Sequence, residues 1–229
     1  MRWQGKNTIL VASMAAIFSL NYAGLSIADE VPRVPEEILD SPKVFQYPGS
    51  YRLEGNIIAA HPGTAVEIMA PDVTLDLNGY TISSLSGSSV GISSFMENVT
   101  VMNGSVRGFS QTGIELQGRN CRIQNLRVTN SGVGVSAFEN CLVLDNTITD
   151  NMGPGLAFPP APPSLPDPSG PGMPVFANNI INNNNGGNQS PQVEGAGIEI
   201  GANVCGNKTI CSNTTMIVSP AAQAVEALP

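Results

Sequence analysis

A repeat governs what this chain can fold into. Gly91-Ile92-Ser93-Ser94, Gly113-Ile114-Glu115-Leu116 and Gly134-Val135-Ser136-Ala137 open three units, 22 and 21 residues apart. Seven residues after each glycine stand Asn98, Asn120 and Cys141, each leading into a short apolar run, and five residues later an asparagine recurs at Asn103, Asn125 and Asn146. A fixed period in this range, with two-residue alternation inside it, marks a solenoid whose unit cannot bury its own apolar face and must stack on the next. The spacing predicts an all-β parallel solenoid of about six coils, in which equal places in the text become vertical files of side chains about 4.8 Å apart.

The same pattern extends in both directions. Residues 29–64 read as an N-terminal lead-in and cap: 31–48 is rich in proline and acids and is expected to be irregular, while Tyr51-Arg52-Leu53-Glu54 and Asn56-Ile57-Ile58 read as short strands that close the open edge of the stack. A first coil opens at Ala65-Val66-Glu67-Ile68, and Val73, Leu75 and Leu77 then alternate with Thr74 and Asp76, which places the aliphatics on one face of a strand. A fifth coil opens at Gly155-Leu156-Ala157-Phe158 and is interrupted over 159–174, where eight residues are proline. Proline has no N–H to give a ladder, so this segment is expected as a loop grown out of one turn. The pattern resumes at 175–181, 182–192 reads as loose, and a last coil opens at Gly197-Ile198-Glu199-Ile200. The solenoid is thus expected over 65–211, with a disordered tail at 212–229.

The N-terminus has a different composition. Arg2 and Lys6 precede an apolar run at 9–20, and Ser26-Ile27-Ala28 stands before Asp29-Glu30, the layout of a cleaved secretory signal over 1–28. Asn21 and Gly24 interrupt a stretch already short for a membrane span. Removal of that segment leaves 18 acids against 8 bases, a surface that repels phosphate backbones and anionic lipid, so nucleic acid is set aside as a partner. Four cysteines in an exported chain suit an oxidising compartment, periplasmic or extracellular. Cys205 and Cys211, the closest pair, are expected to form a disulfide; Cys121 and Cys141 fall on positions one residue out of phase and are expected to be two buried thiols.

Two files carry the functional expectations. Asparagines at one corner can donate to the coil above and accept from the coil below, giving an expected structural ladder of Asn78, Asn103, Asn125, Asn146 and Asn179. The residue two beyond each opening glycine should face solvent, because its neighbours on both sides face the core. Coil by coil that column reads Glu67, Ser93, Glu115, Ser136, Ala157 and Glu199. Its acids suit hydroxyl groups of a glycan or a calcium ion, and equally serve to keep a β surface soluble. Glu67, Glu115 and Glu199 are the catalytic candidates, and Glu67, Ser93, Glu115, Ser136 and Glu199 the candidate binding face. The single histidine, His61, lies in a sequence that reads as a turn, His61-Pro62-Gly63, and with no local Cys/His ligand cluster no transition-metal site is expected.

The segments VTLDLNGYTI at 73–82, NVTVMNGSVRGF at 98–109, PGSYRLEGNI at 48–57 and IEIGANVCGNKTIC at 198–211 resemble the secreted right-handed parallel β-helix repeat proteins of bacteria. The resemblance implies a right-handed winding and a pectate-lyase-like architecture; it implies no single activity, since that architecture serves lyases, hydrolases, epimerases and binding proteins alike. The motifs of a polygalacturonase do not recur: Asn146-Thr147 is followed by Ile148 where an aspartate is required, and no Gly-His-Gly or Arg-Ile-Lys exists. The Asp-Pro-His-Asp of an epimerase is missing too. The expectation is therefore an exported, non-catalytic carbohydrate-binding protein or cell-surface scaffold, the alternative being a small polysaccharide lyase, epimerase or glycoside hydrolase.

Overall fold

A computed structural model describes residues 33–85, 87–159, 172–187, 191–206 and 211. The expected signal at 1–28, most of the proline-rich insertion and the tail at 212–229 lie outside the described residues. Every regular element described is a strand, and every pairing is parallel.

Three ladders make the wall of the solenoid. The opening ladder stacks Lys43–Phe45, Thr64–Ile68, Val90–Ser94, Thr112–Leu116, Val133–Ala137, Leu156–Phe158 and Val193–Gly195 into a 7-stranded sheet. The second ladder runs from Arg33–Val34 through Gly49–Leu53 and Val73–Asp76 to Leu142–Leu144, Val175–Ala177 and Ile198–Ile200. The third runs from Glu37–Leu39 through Ile57–Ala59 and Thr81–Ser84 to Thr147–Thr149, Ile180–Asn182 and Val204–Cys205. In two turns the second and third ladders are one unbroken strand, Thr100–Arg107 and Arg122–Thr129, which merges them into a 14-stranded sheet. Seven turns result, spanning 43–59, 64–84, 90–107, 112–129, 133–149, 156–182 and 193–205. The expected start at residue 65 and count of six give way to ladders that reach back to Arg33, because Pro35, Pro42 and Pro48 of the supposed irregular lead-in all fall between strands, where no ladder N–H is needed.

Each ladder contributes one continuous buried file. Val66, Ile92, Ile114, Val135 and Leu156 stack on the opening ladder, Leu75, Val101, Ile123, Val143 and Phe176 on the second, and Ile82, Val106, Val128, Ile148 and Ile181 on the third, all with no measurable exposure. Burying each contributes about 1.5–3 kcal/mol, so the files rather than the turns hold the stack together. The opening glycines are required by space: a Cβ on Gly113 would lie 2.7 Å from Gly134 O and 2.7 Å from a Val128 methyl, and one on Gly134 would lie 2.4 Å from Gly155 O.

The corners belong to asparagine and aspartate. All 13 described non-glycine residues with positive φ are Asn or Asp, the side chains that tolerate the left-handed region because they bond locally. The single asparagine ladder expected at one corner is two neighbouring files. Asn125 donates to Asn103, and Asn103 to Asp76, on the solvent side, at 3.0 Å each. Asn146, Asn179 and Asn203 form a buried file one residue further on, each Nδ2 meeting the next Oδ1 at 3.0 Å. Asn78 stands in neither; its Nδ2 reaches back to Leu53 O, and Asn103 meets instead the carboxylate of Asp76, the residue that pairs with Met102. The cause is a change of phase. The opening ladder's own offset falls from 22 (Ile92 to Ile114) to 21 (Ile114 to Val135), and the turn to the second ladder has five residues after Leu116 and four after Ala137, so the second-ladder offset falls from 22 (Val101 to Ile123) to 20 (Ile123 to Val143). Asp145 then takes the outward place below Asn125, and Asn146 turns inward.

That shift also overturns the expectation for Cys121 and Cys141. Arg122 pairs with Leu142, so the preceding cysteines stack directly; they form a disulfide with Cα atoms 4.4 Å apart, buried between adjacent turns. Cys205 and Cys211 form the second disulfide, and no described cysteine is free. Two disulfides are compatible with an extracytoplasmic location.

The stretch expected to be loose, 182–192, holds a second buried amide file: Asn151 Nδ2 meets Asn184 Oδ1 at 2.9 Å, and Asn184 Nδ2 meets Gln192 Oε1 at 3.0 Å. Residues 188–190 lie outside the described set.

Candidate functional site

The candidate face is the solvent side of the opening ladder. Within each five-residue strand the third and fifth residues are buried and the fourth is half-buried, as Thr64–Ile68, Thr112–Leu116 and Val133–Ala137 all display. That fourth place is the expected outward column, and pairing confirms its order: Glu67 with Ser93, Ser93 with Glu115, Glu115 with Ser136, and Ser136 with Ala157. Below Ala157 the column continues with Glu194, whose carboxylate lies 3.4 Å from Asn185 Nδ2.

Glu199 is not part of it. The text Gly197-Ile198-Glu199-Ile200 imitates Gly113-Ile114-Glu115-Leu116, yet it lies on the second ladder, where Glu199 pairs with the fully buried Phe176 and therefore faces the core at the open end of the stack. Its carboxylate accepts the backbone N–H of Cys211 at 3.1 Å. A carboxylate that caps the last turn in this way belongs to the end of the core and not to the outward acids.

Beside the acid column runs a second outward file that sequence reasoning did not single out. Gln117 N–H bonds to Ser94 O and Phe138 N–H to Leu116 O, so Phe95, Gln117 and Phe138 follow one another below Met69. Phe95 is 68% exposed and Met69 55%, whereas Phe138 is 9% exposed. The signal was available: each of these residues lies two places after the column residue, and period-two alternation puts both on the same side of the strand. A file of acids and serines about 6.7 Å from the exposed Met69 and Phe95 is amphipathic along the strand direction.

Glu115 accepts a hydrogen bond from Gln117 Nε2. The Glu67 carboxylate has no hydrogen bond or ion pair among the described residues, and Ser93 separates the two acids, which stand two turns or roughly 9.6 Å apart. This lies at the upper end of the spacing that lets two carboxyls flank a water in an inverting glycosidase, about 6.5–9.5 Å. Among the described residues no three His, Cys, Asp or Glu side chains gather as a set of metal ligands. Arg107, Arg122 and Arg127 serve other faces: Arg122 is outward on the second ladder with Nη1 3.3 Å from Gln124 Oε1, and Arg107 and Arg127 are on the third. His61 is buried in its corner, with Nδ1 2.8 Å from Pro62 O. An open depression lined by Asp150, Asn151, Met152 and Asn183 contains none of the candidate residues.

The face thus offers hydrogen-bond acceptors at Glu67 and Glu115, hydroxyls at Ser93 and Ser136, and accessible apolar side chains alongside. No protein-family model, curated protein or solved structure matches the chain.

Proposed function

We propose that the protein is an exported solenoid of the right-handed parallel β-helix class, secreted or periplasmic, whose opening face binds carbohydrate without transforming it. The observation that carries this reading is the register of two adjacent outward files, Glu67-Ser93-Glu115-Ser136 on the opening strands and Met69-Phe95-Gln117 one residue past the ends of those strands. A sugar ring presents hydroxyl donors at its edge and C–H groups on its face. Carboxylates and serines satisfy the first, and an exposed phenylalanine covers the second. The acids disfavour polyuronates and favour neutral or amino-sugar chains, since no described base stands in the column to meet a sugar acid.

Glycan-array screening followed by calorimetry tests the reading. Binding that falls about tenfold or more in Glu115→Gln and in Phe95→Ala supports it, a loss of about 1.4 kcal/mol each. Binding untouched by both variants places the site elsewhere. The enzymatic alternative rests on the two-turn separation of Glu67 and Glu115; release of reducing ends from a polysaccharide, abolished in Glu67→Gln, would replace the binding reading. A calcium ion at this face is tested in the same titrations, with the metal alone as probe.

A further inference from the structure

The outward positions of the third ladder differ in kind from those of the opening ladder. From turn 2 to turn 5 they read Thr81 and Ser83, Ser105 and Arg107, Arg127 and Thr129, Thr147 and Thr149, each couple flanking a buried Ile82, Val106, Val128 or Ile148. These places hold hydroxyl side chains and two arginines, with no carboxylate among them. Ser105 pairs with Arg127 and Arg107 with Thr129, so these four occupy the corners of one quadrilateral, the arginines on one diagonal and the hydroxyls on the other. A spacing of about 4.8 Å between turns and about 6.7 Å between alternate residues puts the two arginine Cα atoms roughly 8 Å apart. Both belong to the unbroken strands, Thr100–Arg107 and Arg122–Thr129, which pair over most of their length and hold the four residues on a continuous part of the wall.

Partners set this pair apart from the other described bases. Arg33 is paired with Glu54, Lys43 with Glu37 and Arg119 with Glu139, while Arg52 donates to Asn78 and Arg122 to Gln124. Arg107 and Arg127 are exposed and have no hydrogen bond or ion pair among the described residues. Carboxylates at the adjoining corners are engaged elsewhere: Asp76 accepts from the Asn78 N–H and from Asn103, Asp145 from Gln124, and Asp150 from Thr149 and Asn183. We infer that Arg107 and Arg127, with Ser105 and Thr129 between them, form a site for the phosphate or sulfate monoester of a sugar. A guanidinium presents a planar fork of donors and a phosphate monoester three strong acceptor oxygens, so one tetrahedral oxyanion over the quadrilateral meets both forks and a hydroxyl. A carboxylate, with two oxygens, is filled by a single fork. The formal net charge of −8 disfavours a polymer with an anion on every residue and selects a ligand with one isolated ester. Ser83 above Arg107 and Thr147 below Arg127 then stand where sugar hydroxyls can be met. This site is separate from the opening face and does not depend on it.

Nuclear magnetic resonance of the full chain, read at arginine Nε–H signals assigned from single variants, tests the inference. The probes are glucose, and glucose esterified at its primary hydroxyl by phosphate or by sulfate. At least one ester should move the Arg107 and Arg127 signals along one saturable curve, with a dissociation constant of about 1 mM or lower that rises with added salt, while glucose moves neither. The ester that binds more tightly at neutral pH identifies the source of the oxyanion. Arg107→Gln and Arg127→Gln should each weaken binding by about tenfold or more, as loss of hydrogen bonds to a charged group does. Arg122→Gln removes the same charge about 17 Å away along the strand and should leave binding unchanged, as should Glu115→Gln on the opening face. No saturable shift with either ester, equal shifts with glucose, or equal weakening by Arg122→Gln overturns the inference.

Discussion

Replacing Asn179 by alanine tests whether the buried amide file holds the C-terminal turns together. The Asn179 side chain is fully buried and makes four hydrogen bonds. Its Oδ1 accepts the backbone N–H and the Nδ2 of Asn146, both at 3.0 Å, and its Nδ2 donates to Val143 O at 2.9 Å and to Asn203 Oδ1 at 3.0 Å. Truncation leaves the Asn146 N–H without that acceptor and withdraws a donor from Val143 and Asn203. Two bonds survive, since Asn146 Nδ2 keeps Ile123 O and the Asn179 N–H keeps Asn203 Oδ1. A buried polar group left unmet costs about 1–3 kcal/mol, so the Asn146 donor with the weakened acceptors and a small cavity brings the loss to roughly 3–5 kcal/mol. Asn125→Ala is the comparison. Asn125 stands in the exposed file, donates one bond to Asn103 that water can replace, and has φ 53, where alanine costs about 1–2 kcal/mol. Urea unfolding followed by circular dichroism gives both values, and native-state hydrogen exchange locates the loss. Because each turn touches only its neighbours, protection should fall first from turn 5 onward. Equal destabilisation by the two variants, or loss of protection that begins in the N-terminal turns, refutes the reasoning.

Two further outcomes follow from the same stack. Replacing Cys121 and Cys141 together by serine removes a cross-link over 20 residues and should cost about 3 kcal/mol, against about 2 for the Cys205–Cys211 pair with its separation of 6; thermal melts of both double variants decide the order. Gly113→Ala should cost about 3 kcal/mol in denaturant titration, since its Cβ meets a neighbouring backbone oxygen and a buried methyl at 2.7 Å, while Gly79→Ala, with open space around its Cβ but φ +84, should cost about 1–2 kcal/mol.

The parallel solenoid, its buried files and the outward run from Glu67 to Ala157 were legible in the sequence, because strand alternation and a regular period determine them together. Three features were not, and each traces to turn length. Counting a period keeps phase only while the turns between strands stay equal. The turn after Ala137 is one residue shorter than the turn after Leu116, and this, with the opening ladder's own offset shortened by one, moved Cys141 under Cys121 and Asn146 into the interior. A signal for it existed. Asn120-Cys121 and Asn140-Cys141 repeat a dipeptide at a spacing of 20, where the opening glycines keep 21. The second amide file was announced in the same way, by asparagines five apart at Asn146 and Asn151 and again at Asn179 and Asn184. Glu199 was misplaced for another reason. Its four-residue motif matches the opening one, and only the three-dimensional pairing with Phe176 distinguishes a second-ladder strand from an opening strand.

The corner files explain how such a stack ends. At the second corner the inward residues run Gly104, Leu126, Asn146, Asn179 and Asn203, and at the third Phe109, Ser131, Asn151, Asn184 and Gln192, so both corners pass from packing to hydrogen bonding at or just before the fifth turn. An amide file cannot simply stop, because its last member would hold a buried donor with no acceptor below. Both files close by turning back on backbone carbonyls: Asn203 Nδ2 donates to Phe176 O and Ile200 O, and Gln192 Nε2 to Asn184 O and Gly187 O. The Glu199 carboxylate adds an acceptor for the Cys211 N–H beside these terminal amides in the last described turn. The candidate binding face on turns 2 to 5 and the last turns of the stack therefore rest on different kinds of support. Loss of the amide file should loosen turns 5 to 7 before it disturbs the face that carries Glu67 and Glu115.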